Sequence, residues 1–272
     1  MLAKAIYAVL LFFSALAPSG CQADRVANRP RQATAVCDRH FTSATEPAVE
    51  ARSAAKRLTR VCYTAFAAAV SGVTGTPIWV AERLTRENVR AARQLDRTGE
   101  FFEDGNVPSA DRASLDDYRG SGFDRGHMAP SGDMPTQAAQ QESFSLANIV
   151  PQDEVLNRYL WAKVESAVRD LAVREGVVFV VTGPIFGRAT GETRGAGRVR
   201  VPSGVFKAVL VPGKGAAAYV AENDDTPELR YVSLGQLQDL AGVDAFPSAS
   251  RGTKVHRLWL PKIVDARTGT GL

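Results

Sequence analysis

The sequence predicts an α+β fold in which helices flank a mostly antiparallel central sheet. Three observations predict it. Apolar runs of strand length recur along the chain, separated by short turn-rich gaps. One long segment, residues 153–174, has helical spacing, and a continuous β-branched run follows it directly. Because 45% of the 272 residues are hydrophobic, the chain can bury a sizeable core.

The first strands are predicted in the N-terminal third of the chain. Residues 61–70 (VCYTAFAAAV) and 77–84 (PIWVAERL) have strand composition, and the turn-rich SGVTGT separates them. Residues 85–95 fit either a short helix or an irregular basic segment. Residues 104–122 are rich in Gly, Pro, Ser and Asp, which predicts a loop.

The second half carries the strongest periodicity. Apolar residues from Val155 to Leu171 recur on one helical face, and Gly176 predicts the end of this helix. The run VVFVVTG (residues 177–183) then predicts a buried central strand. We expect a hairpin around residues 212–215 and a short helix over SLGQLQDLAG.

The N-terminus predicts export. A basic start, an apolar run over residues 5–17 and small residues after it form a signal peptide over residues 1–23. The alternative is a lipoprotein signal that ends before Cys21, which would place a lipid anchor there. The expected location is therefore periplasmic or secreted, with a membrane-anchored lipoprotein as the alternative. No other stretch is long and apolar enough for a transmembrane helix.

The rest of the chain is predicted to hold one domain. Residues 24–36 read as a flexible leader, residues 37–266 as the domain and residues 267–272 as a tail. An oxidising compartment favours a disulfide between Cys37 and Cys62, and the alternative is two small buried thiols. The net charge of +4 permits a polyanionic partner without arguing for one.

One stretch concentrates chemistry: SGFDRGHMAP, in which Asp124, Arg125, Gly126 and His127 are adjacent. The chain has three histidines, no zinc-ligand pattern and no nucleophile elbow. His127 in a polar turn therefore fits a general base that takes a proton from water. An ordinary pKa of about 6.5 would leave it mostly neutral at pH 7 and predicts lower activity in acid. The alternative is a charged solvated turn.

The neighbours of His127 indicate a phosphate substrate and a hard cation. Arg125 can bind phosphate oxygens through its guanidinium, and Gly126 would let the backbone approach a substrate. Asn157 could bind a cation through its amide oxygen, with Glu165 holding the ion's waters. Arg169 could reach a phosphate. The alternatives are a helix cap at Asn157 and a surface pair of Glu165 with Arg169.

With these residues in place, the chain resembles the secreted DNA/RNA non-specific endonucleases of the ββα-metal fold. The resemblance runs from Cys37 almost to the C-terminus. It is carried by TPIWVAERLT, DYRGSGFDRGHMAPSGDM, ESFSLANIVPQ, LNRYLWAKVE and VVTGPIF. It implies an α+β domain whose antiparallel sheet carries a ββα-metal active-site element.

The resemblance also implies roles for individual residues. It implies that His127 is the general base, that Asn157 is the direct ligand of Mg²⁺, and that Glu165 orients metal-bound water. Phosphate contacts would come from Arg125, Arg169 and an upstream arginine, for which Arg97 fits the family pattern better than Arg93. Phe123 replaces the usual tyrosine. Asp124, Gly126 and Asn148 would support the site.

The function that follows is an exported, sugar-non-specific endonuclease. It would hydrolyse phosphodiester bonds of DNA and RNA with one Mg²⁺ ion, for which Mn²⁺ could substitute, and leave 5′-phosphate products. One alternative is a non-catalytic nucleic-acid-binding or uptake protein on the same fold. A second is a phosphodiesterase for small substrates. The sequence leaves the oligomeric state and any preference between DNA and RNA open.

Overall fold

A seven-stranded antiparallel sheet forms the centre of the molecule, in the order β10-β9-β8-β7-β4-β3-β2. The computed structural model describes residues 37–50, 56–187 and 199–263. The strands are β1 Ala48–Val49, β2 Leu58–Cys62, β3 Phe66–Ser71, β4 Thr76–Thr85, β5 Asp124–His127, β6 Ile149–Gln152, β7 Val177–Ile185, β8 Gly204–Val211, β9 Gly215–Glu222, β10 Leu229–Val232 and β11 Val243–Asp244. Two further pairs, β1 with β11 and β5 with β6, lie outside this sheet.

One of the expected strands differs from the prediction. The apolar run over residues 61–70 is not one strand, because the chain turns between β2 and β3 and the Tyr63 amide bonds to the Phe66 carbonyl. The run VVFVVTG does lie in the central strand of the sheet, β7, which pairs with β4 and β8. The hairpin around residues 212–215 joins β8 to β9 as predicted.

The helices pack against the sheet from both sides. They are α1 Arg86–Ala92, α2 Leu115–Tyr118, α3 Gln137–Ser143, α4 Ala162–Glu175, α5 Leu234–Ala241 and α6 Arg251–Val255. The ambiguous segment after β4 is helical because Thr85 caps α1 through its side chain. The predicted loop over residues 104–122 contains the short helix α2, which Ser114 caps. Gly176 ends α4 at a φ of 88°.

The two faces of the sheet bury separate cores. Val80 and Val180 face the core beneath α4, whereas Ala81 and Val181 face the core beneath α5. This division follows from the alternation of side chains along a strand. The strands are buried on both faces, so their sequences lack a clear polar stripe. The core beneath α4 is the one that supports the candidate site.

A disulfide joins Cys37 to Cys62 at the edge of the sheet, with 5.7 Å between their Cα atoms. It ties the first described residue to the end of β2. No helix among the described residues is long and apolar enough to cross a membrane.

Several predictions lie outside the described residues. They are the signal peptide over residues 1–23 with the anchor at Cys21, the leader over residues 24–36 and the C-terminal tail over residues 267–272. All described residues fall within one compact unit, Arg31–Leu272.

Candidate active site

The DRGH stretch is a β-strand and not the turn that its composition predicts. Strand β5 pairs in antiparallel register with β6, so that Asp124 faces Gln152 and His127 faces Ile149. A Cβ on Gly126 would clash with the side chain of Gln152. The packing between the two strands therefore requires a glycine at this position.

His127 is buried among aromatic rings. Its side chain is only 8% exposed, and its ring centroid lies 5.4 Å from that of Phe101 and 5.0 Å from that of Phe144. The Nε2 atom is buried and has no hydrogen-bond partner among the described residues. Burial, and then the cationic Arg97, lower the pKa of His127 to about 3. This pKa lies well below the value near 6.5 expected from the sequence, so the imidazole is neutral at pH 7.

Asn148 holds the backbone that follows His127. Its side-chain oxygen accepts a hydrogen bond from the Ala129 amide at 2.8 Å, and its side-chain nitrogen donates to the Ala129 carbonyl at 2.8 Å. Its own carbonyl accepts from the Met128 amide at 2.9 Å. Asn148 is fully buried, so these bonds are shielded from water. The residue thus connects the start of β6 to the end of β5.

Two arginines lie beside the imidazole, each over one of the rings that contact it. The guanidinium of Arg125 lies 5.0 Å from the Phe101 centroid, and that of Arg97 lies 5.6 Å from the Phe144 centroid. Cations are attracted to the faces of such rings. Arg93, the other candidate upstream arginine, instead pairs with Asp170 on α4 at 2.5 Å. Geometry therefore brings Arg97, and not Arg93, to the imidazole.

Asn157 lies in a π-helical turn, Leu156–Trp161, that precedes α4. In a regular α-helix Glu165 would lie about 80° around the axis from Asn157, whereas one extra residue in the turn reduces this offset to about 20°. The turn therefore brings the two side chains toward one face. The uniform helix predicted over residues 153–174 lacked this feature.

Asp124 fixes the amide of Asn157. Its carboxylate accepts a hydrogen bond from Asn157 Nδ2 at 2.9 Å and two from Arg158 at 2.8 Å. Burial alone would raise the pKa of Asp124, but these bonds outweigh it and hold the pKa below its ordinary value. Asn157 is therefore not a helix cap. Arg158, which the sequence reasoning missed, is the salt-bridge partner of the DRGH aspartate.

Glu165 and Arg169 lie on α4 above the sheet. Burial raises the pKa of the Glu165 carboxyl to about 7, and Lys207 acts in the opposite direction. Arg169 forms its ion pair with the buried Asp133 at 2.9 Å, rather than the surface pair with Glu165 that its spacing allowed. Asp133 therefore anchors this arginine, and its role was not apparent from the sequence.

The sheet beneath these residues carries buried charges that the sequence reasoning also missed. Glu82 on β4 and Lys207 on β8 are each 1% exposed. Lys207 Nζ donates to Thr182 Oγ1 at 2.7 Å and to the Met128 carbonyl at 3.3 Å. Burial and then Asp133 raise the pKa of Glu82 well above its ordinary range. A signal existed, because both residues interrupt apolar runs that read as buried strands.

The side chains present fit a sparsely coordinated Mg²⁺ ion. Across the part of the chain that the structure describes, no three His, Cys, Asp or Glu side chains come together as metal ligands. Mg²⁺ needs no such cage, because it keeps several waters and binds a few protein oxygens together with substrate phosphates. The bond from Asn157 Nδ2 to Asp124 leaves the amide oxygen available as a ligand. Glu165 can accept hydrogen bonds from the ion's waters.

The arrangement combines a neutral imidazole, fixed guanidinium groups and oxygen ligands for a hard cation. A neutral imidazole can take a proton from water. Guanidinium groups stabilise charge that develops on phosphate oxygens. Strands β5 and β6, the π-helical turn and α4 carry most of these groups, and Arg97 comes from the segment between α1 and α2. The antiparallel sheet and this site define the class of ββα-metal nucleases.

The comparisons with known proteins agree. The sequence pattern of the DNA/RNA non-specific endonucleases matches residues 49–252, so the chain belongs to that family. Nuclease C1 of Cunninghamella echinulata var. echinulata is 41% identical over 155 residues, or 53% of this chain and 62% of that protein. The mitochondrial nuclease EXOG of Xenopus laevis is 36% identical over 212 residues, or 70% of this chain and 58% of that protein.

A solved structure shares the fold. A chain in the crystal structure of the EndoG/EndoGI complex, which concerns the mechanism of EndoG inhibition, superposes with a TM-score of 0.64 at 27% identity. The match covers 71% of this chain and 88% of that one. By contrast, this chain spans about three fifths of the length of the two sequence relatives above.

Proposed function

We propose that the chain is an endonuclease that hydrolyses phosphodiester bonds in both DNA and RNA and leaves 5′-phosphate products. The observation that carries the proposal is the buried, neutral His127 with Arg97 and Arg125 over the two aromatic rings that contact it. Membership of the non-specific endonuclease family supports the substrate class. We expect base identity to matter little to this site, because phosphate contacts carry no sequence information.

His127 acts as the base through Nδ1. Nε2 is buried, so we assign proton transfer from the attacking water to the other ring nitrogen. The water gives its proton to Nδ1 while its oxygen attacks phosphorus. The bond from phosphorus to O3′ breaks, and O3′ takes a proton from solvent water to become the 3′-hydroxyl. Arg97 and Arg125, which lie over the two rings beside the imidazole, would stabilise the charge on the phosphate.

Asn157 and Glu165 would hold Mg²⁺, directly and through water respectively, and Mn²⁺ could substitute. The bound ion would supply a Lewis acid that stabilises negative charge on the phosphate. Asp124 keeps the amide of Asn157 in one orientation, and Asp133 keeps Arg169 at the edge of the site. The chain's contribution is to fix these groups before the substrate arrives.

Export is also part of the proposal. It rests on the signal-like segment over residues 1–23 and is supported by the disulfide between Cys37 and Cys62. The lipid anchor at Cys21 is the alternative form. Fractionation of cells that express the full chain, followed by mass spectrometry of the mature N-terminus, tests both forms. A full-length chain in the cytosol would contradict export.

The decisive experiment measures the cutting of plasmid DNA and of structured RNA with Mg²⁺, with Mn²⁺ and with EDTA. We expect both polymers to be cut, EDTA to stop cutting, and product ends to carry 5′-phosphate. Asn157→Ala should lower Mg²⁺-dependent turnover at least about a hundredfold, whereas Glu165→Ala should leave a weaker metal response. The control is Asn88→Ala on α1, a half-buried asparagine away from the site.

Two other functions would give different results. A non-catalytic nucleic-acid-binding protein would retain both polymers without cutting either. A small-substrate phosphodiesterase would hydrolyse bis(p-nitrophenyl) phosphate faster than plasmid. Cutting that persists in EDTA would contradict the metal-dependent mechanism.

A further inference from the structure

A buried lysine lies beneath the candidate site. Lys207 belongs to β8 in the centre of the sheet and is 1% exposed. Burying an ammonium group is costly unless its donors are paired. Its hydrogen bonds go to Thr182 on the adjacent strand β7, at 2.7 Å, and to the carbonyl of Met128, at 3.3 Å. Only the second bond leaves the sheet, and it reaches the residue that follows His127.

That bond completes the fixation of the peptide segment after the imidazole. Asn148 binds the Met128 amide and both polar groups of Ala129. The Met128 carbonyl is the polar group that remains, and it accepts a hydrogen bond from Lys207 Nζ. Met128 and Ala129 are fully buried, so no solvent can replace either partner. Segment 127–129 is therefore held between Asn148 and Lys207.

The neighbouring Glu82 does not explain the burial of Lys207. Its Oε1 atom lies 3.9 Å from Lys207 Nζ, which is too long for a hydrogen bond, and neither of its oxygens has a partner. A lysine that existed only to satisfy Glu82 would be expected to bond to it. The geometry instead directs the ammonium to the backbone next to His127.

We propose that Lys207 is a positioning residue that fixes the imidazole of His127 by holding the Met128 carbonyl from within the core. The proposal rests on the proposed function, since it assigns Lys207 an effect on the base of that reaction. Lys207 is too deeply buried to contact a substrate. We expect it to affect turnover mainly through the placement of His127, beside its electrostatic effect on Glu165, and to leave the binding of nucleic acid unchanged.

The first test replaces Lys207 with methionine, which has a similar side-chain length and lacks the N–H donors of the ammonium group. We expect kcat to fall by between about 10- and 100-fold, the scale on which a misplaced reactive group slows a reaction. KM for DNA should stay within about twofold, because Arg97 and Arg125 are untouched. Lys214→Met is the control, since that lysine is exposed in the turn between β8 and β9 and pairs with Glu175.

A second variant separates positioning from stability. The double variant Lys207→Met/Glu82→Leu also removes the buried carboxyl, so that the sheet beneath the site carries only apolar side chains at these two positions. We expect this to regain the free energy of unfolding that is lost in Lys207→Met. The Met128 carbonyl still lacks its donor. We expect the double variant to regain thermal stability while kcat stays low. Recovery of kcat together with stability would overturn the proposal, because Lys207 would then serve the fold alone.

A spectroscopic measurement tests the placement without activity. The chain has three histidines, so the imidazole ¹⁵N signals can be assigned with one substitution each. Both Lys207 variants should shift or broaden the ring signals of His127 and leave those of His40 and His256 unchanged. Unchanged His127 signals together with normal kcat would also overturn the proposal. An inactive wild-type protein would refute the proposed function instead, and the ring signals would still report on Lys207.

Discussion

Two of the three histidines are buried, and they differ in whether Nε2 has a hydrogen-bond partner. His40 follows the disulfide at Cys37 and is 4% exposed, and His127 ends strand β5 and is 8% exposed. Burial lowers the pKa of both, to about 4 and about 3. His40 Nε2 donates to the Tyr63 carbonyl at 3.3 Å, whereas His127 Nε2 has no partner.

This difference indicates which buried histidine is structural and which is a candidate for catalysis, a distinction that burial alone does not make. A buried polar group normally finds a partner, and one that lacks a partner needs a reason. His40 connects a short helical turn to the chain between β2 and β3, which is a structural role. His127 instead lies among two aromatic rings over which two arginines lie, which fits the proposed role as the base. Equal burial therefore accompanies different functions.

The largest effect should come from replacing each buried histidine with alanine. His127→Ala should lower turnover at least about a hundredfold, because it removes the general base. His40→Ala should leave the turnover of the folded protein within about twofold, since it contacts no site residue. Plasmid cutting at a temperature where both variants are folded measures the difference. Equal losses in the two variants would remove the distinction between them.

Reduction of the disulfide should disturb only the region of His40. The bridge closes a loop of 25 residues, so its loss should lower the free energy of unfolding by roughly 3–4 kcal/mol on the chain-entropy estimate. Denaturant unfolding with and without reductant measures this change. Turnover at low temperature should be unchanged, because neither cysteine contacts the site. A matching loss of turnover would show that the two regions are coupled.

The long helix, the central strand and the choice of the DRGH stretch as the candidate catalytic motif could be predicted from the sequence. Periodicity and residue type are local properties. The sequence could not distinguish His40 from His127 by environment, since burial depends on residues distant in the chain. Tyr63 and Asp104, which bond to each other near this region, are 41 residues apart. The π-helical turn at Asn157 leaves apolar spacing almost unchanged and was therefore missed.

Buried charges were the other omission. Glu82 and Lys207 lie in strands read as apolar, and only the pairing of β4, β7 and β8 brings them onto one face. Asp133 was part of a quoted motif, yet its bond to Arg169 spans 36 positions. Sequence reasoning assigns residues to elements more readily than it pairs them across elements, because pairing depends on register and packing.

A smaller effect concerns the stability of the two histidine variants. His40→Ala leaves the buried Tyr63 carbonyl without its partner, so it should lower the free energy of unfolding by about 1–3 kcal/mol beyond the loss of packing. His127→Ala breaks no bond at Nε2 and should cost less. Thermal unfolding at pH 8, where both rings are neutral in the unfolded chain as well, compares them. A greater loss for His127→Ala would contradict this account.

The smallest effect should be on the pH dependence of activity. The pH below which activity falls should shift with the Mg²⁺ concentration. His127, with its pKa lowered to about 3, stays neutral down to about pH 4 and cannot produce a limb near neutrality. Glu165 can, because burial raises its pKa to about 7 in the metal-free protein, and a proton there competes with the ion and its waters.

Activity at low Mg²⁺ should therefore fall as the pH drops from 8 to 6. A tenfold increase in Mg²⁺ should move the midpoint down by up to about one pH unit, the limit for one proton competing with one ion. Glu165→Gln should weaken activation and abolish this shift, as rates over a grid of pH and Mg²⁺ would show. A midpoint that stays near pH 6.5 at every Mg²⁺ concentration would contradict this account. It would indicate that protonation of His127 causes the loss of activity, with the ordinary pKa expected from the sequence.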